Sequence, residues 1–208
     1  MTLIVHHLEN SRSQRVLWLL EELGIRYEVK RYERDRKTML APPELKRVHP
    51  LGKSPVIEDN GTIVAETGAI VDYLVENAGG RLGPPHEPKA QQAYRFFVHY
   101  SEGSLMPWLL VMLVIRRLGL LGRPARPKVQ AMLDQHLDFL EGELSSRDWF
   151  AGDEFTAADI IMSFPLETAR HRAGLDGTRP KLIHWLDRIH SRPAYRAALA
   201  RGGPYAYA

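Results

Sequence analysis

Apolar positions change their period near residue 88. Before that point, short apolar runs alternate with helical spacing; after it, only helical spacing remains. Residues 2–7 (Thr-Leu-Ile-Val-His-His) read as a short buried strand. Val16, Leu17, Leu20 and Leu23 then fall on one helical face within 13–23, and Gly24 stops that helix. Residues 27–32 read as a second strand, and a polar stretch over 33–43 precedes one helical turn near 44–48. Asn60-Gly61, between Pro-Val-Ile-Glu-Asp and Thr-Ile-Val-Ala, predicts a hairpin over 55–65, because both central residues of such a turn need positive φ. A helix from Thr67 to about Asn77, closed by Gly79-Gly80, completes the order β-α-β-α-β-β-α.

The breaker-rich stretch 79–87 predicts a linker, giving domains at 1–78 and 88–208. Pro88 suits the first position of a long helix, whereas Pro107 should kink or end it. Val129, Met132, Leu133, His136, Leu137, Leu140 and Leu144 trace one face of another helix. In Phe155-Thr156-Ala157-Ala158-Asp159-Ile160, Thr156 and Asp159 form a capping box with a shortened acid, which assigns them to folding. Helices over 180–191 and 193–199 follow.

Composition narrows the chemistry. Hydrophobic residues at 44% fill a real core, and a net charge of +3 with scattered basic residues argues against nucleic acid as partner. The apolar run 108–115 is far short of the ~20 residues a membrane span needs, and no leader is evident, so a cytoplasmic protein without a membrane partner is expected. No cysteine occurs, so any thiol the protein works on comes from a ligand. The nine histidines lack metal-ligand spacing, and His6-His7 in a strand send their rings to opposite faces; no metal is expected.

Three local features converge on a site. Pro55 opens a strand after Pro50-Leu51-Gly52-Lys53-Ser54, a place where proline needs a special reason, and an X-Pro bond adopts cis at low cost. Glu66 and Thr67 sit where a helix begins, so backbone N–H groups and a hydroxyl face an anion-sized space. Asn10, Ser11 and Ser13 precede another helix, which any of the three could simply cap.

The ordered set resembles the cytosolic glutathione S-transferase family over nearly the whole chain. Its carriers are Glu9 through Trp18, His49 through Val56, Ala65 through Ile70, the Phe155–Ile160 segment, and Trp185-Leu186 through Arg192-Pro193-Ala194-Tyr195. His7 through Ser13, with His99 through Pro107, is most similar to bacterial and fungal transferases of the Gtt-like type. The resemblance implies a thioredoxin-like α/β domain followed by an all-α domain, a homodimer, and glutathione as co-substrate. It further implies that the glutathione thiolate attacks a hydrophobic electrophile, as in detoxification. Alternatives are peroxide or disulfide reduction with two glutathiones, or a non-catalytic binding protein of the same fold.

Carried onto this sequence, the resemblance makes Ser11 the first candidate to hold the thiolate, with Asn10 and Ser13 as alternatives. Lys53 is expected at the glycyl carboxylate, the backbone of Ser54 at the cysteinyl unit, and Pro55 in cis. Glu66 is expected to take the γ-glutamyl ammonium and Thr67 its carboxylate. Tyr100, Ser104 and Trp108 are expected in the electrophile pocket. His49 stands where the family commonly has Asn, and Thr67 where Ser is commoner.

Overall fold

A computed structural model describes residues 3–208. Thr2, the first residue of the expected strand, lies outside the described residues. The chain forms two compact units. One comprises the chain up to Gly83 with His190–Ala206 and Ala208; the other comprises Pro84–Ile189 with Tyr207. The helix at 193–202 therefore packs with the first unit, although it follows the helical segment in sequence.

The first unit is built on a four-stranded sheet of order β2-β1-β3-β4, with β1 Leu3–Leu8, β2 Tyr27–Tyr32, β3 Val56–Asp59 and β4 Thr62–Ala65. β1 runs parallel to β2 and antiparallel to β3, placing Val5 beside both Val29 and Ile57. The Asn60-Gly61 turn joins β3 and β4, with φ of 51° and 81° at its two central residues. Helix α1 (Ser13–Leu23) is buried almost all round, including Val16, Leu17, Trp18, Leu19 and Leu20. The single apolar face visible in the sequence is half of this picture. β1 and α3 (Thr67–Asn77) lie against α1, and so does the C-terminal helix, whose Tyr195 ring meets Trp18 edge-on at 5.1 Å. Arg192, just before that helix, grips the Glu22 carboxylate with both Nε and Nη2, at 2.5 and 2.8 Å. A short α2 (Leu45–Val48) sits between β2 and β3.

The second unit is helical. Helix α4 (Pro88–Tyr100) starts with Pro at its first position and with Glu87 accepting from the N–H groups of Lys89 and Ala90. It runs through a π turn at Ser101–Leu105 into α5 (Met106–Arg117). Pro107 thus neither ends nor breaks the run. The wider turn, in which Met106 N–H reaches back to the Ser101 carbonyl, takes up the register that a proline disrupts. The continuous stretch Pro88–Arg117 is long and apolar enough to cross a membrane by length and composition. Here its stripe of Tyr94, Phe97, Leu105, Leu109 and Met112 is buried instead, in the core that the unit's helices share.

Helix α6 (Arg126–Ser146) packs on α5, and α7 (Ala157–Arg172) packs on α4 and α5. The capping box opens α7: Thr156 Oγ1 accepts from Ala158 N–H, and Asp159 accepts from Thr156 N–H at 3.0 Å. Asp159 also accepts from Phe150 N–H and Trp185 Nε1–H, which ties α7 to α8 (Pro180–His190). Helix α9 (Pro193–Gly202) closes the element list and belongs to the first unit.

Candidate functional site

The turn between β1 and α1 carries Asn10, Ser11 and Ser13, and each is held differently. Asn10 adopts φ of 50°, a left-handed conformation that Asn tolerates. Its Oδ1 accepts from the Ala206 N–H at 2.7 Å, so the segment after α9 pins this side chain. Its carbonyl and that of Glu9 accept from Arg34, whose own N–H donates to Glu9 Oε1. Ser11 is buried one residue outside the helix cap position, and its Oγ accepts from Ser13 N–H at 3.2 Å. Ser13 is the first residue of α1. Its Oγ lies 2.7 Å from Ser11 Oγ and 2.8 Å from His7 Nδ1, and 3.3 Å from the Leu8 carbonyl.

Both strand histidines are buried, and their rings do take opposite roles. His6 meets the Tyr32 hydroxyl through Nδ1 at 2.8 Å and faces Glu58 at 3.8 Å; burial, aided by Lys30, lowers its pKa. His7 faces α1 and α9: it bonds Ser13 and lies against Gly202. Burial, with Arg31 beside it, pushes its pKa down to about 4 against a raising influence of the Gly202 backbone. It is therefore neutral at neutral pH.

Ser54 binds the end of β1 from the other side. Its Oγ accepts from Leu8 N–H at 3.2 Å and donates to the His6 carbonyl at 2.8 Å, and the Ser54-Pro55 peptide bond is cis. The preceding turn is closed by Gly52 N–H on the His49 carbonyl, with Gly52 at φ of 57°. A side chain at Gly52 would also press on Lys46, so glycine is required there twice over. Lys53 projects into solvent.

Glu66 holds φ of 71° immediately before α3, a positive value that a non-glycine residue adopts only where the surroundings enforce it. Thr67, buried at the first position of α3, accepts at Oγ1 from Arg15 Nη2 at 3.4 Å. Arg15 is 1% exposed, so a guanidinium stands behind the hydroxyl that the anion-sized space would use. The described contacts thus bring Ser11 and Ser13, Ser54, and Thr67 onto one frame, the β1–α1 turn and the start of α1. His7 and Arg15 complete that frame. Period-2 alternation in β1 carried a signal for His7, since it places His7 on the face of Leu3 and Val5. The Asn10–Ala206 contact, 196 residues apart, left no local signal.

In the helical unit, Tyr100 is buried at the end of α4, with its hydroxyl 2.5 Å from His136 Nδ1 and its ring against Phe96 and Phe139. Ser104 lies in the π turn and Trp108 in the first turn of α5, both half-buried. Among the described residues, no three His, Cys, Asp or Glu side chains gather as metal ligands.

A mixed-sheet unit of thioredoxin-like order and an all-helical unit define the two-domain transferase fold, and the comparisons agree. Residues 1–76 match the family model "Glutathione S-transferase, N-terminal domain" and residues 105–193 match "Glutathione S-transferase, C-terminal domain". Glutathione S-transferase 3 of Schizosaccharomyces pombe is 35% identical over 210 residues, spanning 94% of this chain and 86% of that protein. The crystal structure of a glutathione S-transferase from Actinobacillus pleuropneumoniae superposes with a TM-score of 0.87 at 33% identity, covering 97% of this chain and 93% of that one. A sphingomonad glutathione S-transferase complexed with glutathione shares the fold at a TM-score of 0.80 and 22% identity, covering 96% of this chain and 98% of that one. The chain belongs to the glutathione S-transferase family.

Proposed function

We propose that the protein binds glutathione in its first unit and conjugates the glutathione thiolate to hydrophobic electrophiles. The observation that carries this reading is the buried Ser11 hydroxyl, fixed by Ser13 N–H at the start of α1. A thiol of pKa near 8.5 is only a few per cent ionised at neutral pH. Lowering that by two units takes about 2.7 kcal/mol, and a hydrogen bond to a charged acceptor contributes roughly 1.5–3 kcal/mol. One hydroxyl donor, assisted by the positive end of α1, therefore suffices without a general base. Ser54 offers its backbone to the cysteinyl unit, Pro55 shapes that loop, and Lys53 meets the glycyl carboxylate. Thr67 and the first N–H groups of α3 take the γ-glutamyl carboxylate, with Arg15 behind them, and Glu66 takes the ammonium. Tyr100, Ser104 and Trp108 belong to the electrophile side. A cytoplasmic homodimer is the assembly this reading carries.

Two measurements test it. Calorimetry should show glutathione affinity reduced at least tenfold in Glu66→Ala/Thr67→Ala; unchanged affinity removes the γ-glutamyl assignment. Assays with an aromatic halide beside a hydroperoxide should show conjugation as the faster reaction. Peroxide reduction alone would move the protein to the two-glutathione alternative, and neither reaction despite tight binding would make it a binding protein.

A further inference from the structure

Ser11, Ser13 and His7 form an unbroken line of hydrogen-bonding atoms: Ser11 Oγ to Ser13 Oγ at 2.7 Å, then Ser13 Oγ to His7 Nδ1 at 2.8 Å. All three side chains are at least 95% buried. Each hydroxyl has one proton to donate. The Leu8 carbonyl, at 3.3 Å from Ser13 Oγ, is a longer competing acceptor. With the Ser13 proton in one of its two shorter contacts, the line points one way or the other. The Gly202 backbone lies against the other part of the His7 ring and favours a proton on it, as a carbonyl facing a ring N–H does. A neutral ring spends its single proton there and leaves Nδ1 as an acceptor. Ser13 then donates to His7, and Ser11 donates to Ser13, away from any ligand. A doubly protonated ring reverses this order. Nδ1–H donates to Ser13, and Ser13 donates to Ser11. With its lone pairs filled by the Ser13 N–H and O–H, the Ser11 oxygen has only the outward direction left for its own proton.

We propose that His7 is a positioning residue that sets which way this line points, so that an anion held by Ser11 and a second proton on the His7 ring reinforce each other. The inference rests on Ser11 as the thiolate donor. The charged side chain facing His7 is Arg31, its register neighbour on β2, while α1 presents Ser13 and Gln14 and α9 presents the Gly202 backbone. Burial and Arg31 hold the ring neutral in the free protein, so the line rests pointing inward at neutral pH. Coupling between two sites is reciprocal: whatever an anion at Ser11 gains from the outward line, His7 gains in proton affinity.

Imidazole NMR on the whole chain tests this, with His7→Gln identifying the His7 resonances. The free protein at neutral pH should show the Nε2–H tautomer of His7; the Nδ1–H tautomer would overturn the proposal. His7 should then be titrated in two saturated complexes: glutathione sulfonate, which is anionic at the sulfur position at every pH used, and S-methylglutathione, which is neutral there. The midpoint should be higher by about one unit in the sulfonate complex, a tenfold gain in proton affinity. In Ser13→Ala, where the line is cut, most of that difference should vanish. Equal midpoints in the two wild-type complexes, or an undiminished difference in Ser13→Ala, would sink the proposal. Ser11→Ala separates the two readings. An unchanged bound-thiol pKa in that variant removes Ser11 itself, whereas a raised one beside equal His7 midpoints removes only the role of His7.

Discussion

Asn10, Ser11 and Ser13 have similar polar groups within one turn, yet their contacts divide them sharply. The Asn10 side-chain oxygen Oδ1 is occupied by Ala206 N–H and Ser13 is occupied by His7, whereas Ser11 stands at the end of the line. Ser11→Ala should therefore leave glutathione affinity nearly intact and raise the bound thiol pKa by about one to two units, roughly 1.4–2.7 kcal/mol. The rate at neutral pH should drop about ten- to a hundredfold and recover partly as pH rises. Ultraviolet titration of the bound thiolate in all three alanine variants checks this, and a change confined to Asn10→Ala would reassign the donor. The spacing of hydroxyls before a helix was legible in the sequence, because capping is a local matter. What could not be read is which partner each side chain finds. Those partners come from β1, from β2's neighbourhood and from the far end of the chain.

At the scale of elements, legibility follows the same division between local and distant causes. The hairpin at Asn60-Gly61 and the capping box at Thr156 rest on neighbours within a few residues, and both were readable. The all-round burial of α1 was not, since its second cover is α9. Nor was the pairing of two prolines across α5 and α7. Pro165 lies inside α7 and has no N–H to give the Ile161 carbonyl. Ser101, in the π turn that accommodates Pro107, donates its hydroxyl to that carbonyl at 3.1 Å. The irregular turn in one helix thus supplies a donor that the irregular residue in another withholds. Ser101→Ala should cost about 1 kcal/mol in urea unfolding. In a Pro165→Ala background, where the backbone N–H returns, the cost should shrink. Equal penalties in both backgrounds would show that the two prolines are accommodated independently.

For the molecule as a whole, two buried titrating groups set opposing pH dependences in nearly the same range. His7, in the first unit, has its pKa lowered by burial from 6.5 to about 4. Between these values the unfolded chain binds the proton and the folded one does not. The contribution is fully present above pH 6.5 and is lost as pH falls toward about 4, roughly 3 kcal/mol in all. Asp159, in the second unit, is pushed by burial from 3.8 up to about 6, against the hydrogen bonds from Phe150, Thr156 and Trp185. Its folded form holds the proton longer than the unfolded one, so stability declines as pH rises from about 4 to 6, by a similar amount. The two slopes offset each other, and the wild-type urea midpoint should change less between pH 4.5 and 7 than either group alone would dictate. His7→Asn, which cannot titrate, should shift the dependence so that the variant gains stability in acid relative to wild type. Asp159→Asn should shift it the other way, toward greater acid sensitivity, apart from the uniform loss of its capping bonds. Midpoints at the two pH values for the three proteins check the signs. Shifts in the same direction for both variants would mean that one of these groups is not held in the protonation state its burial imposes.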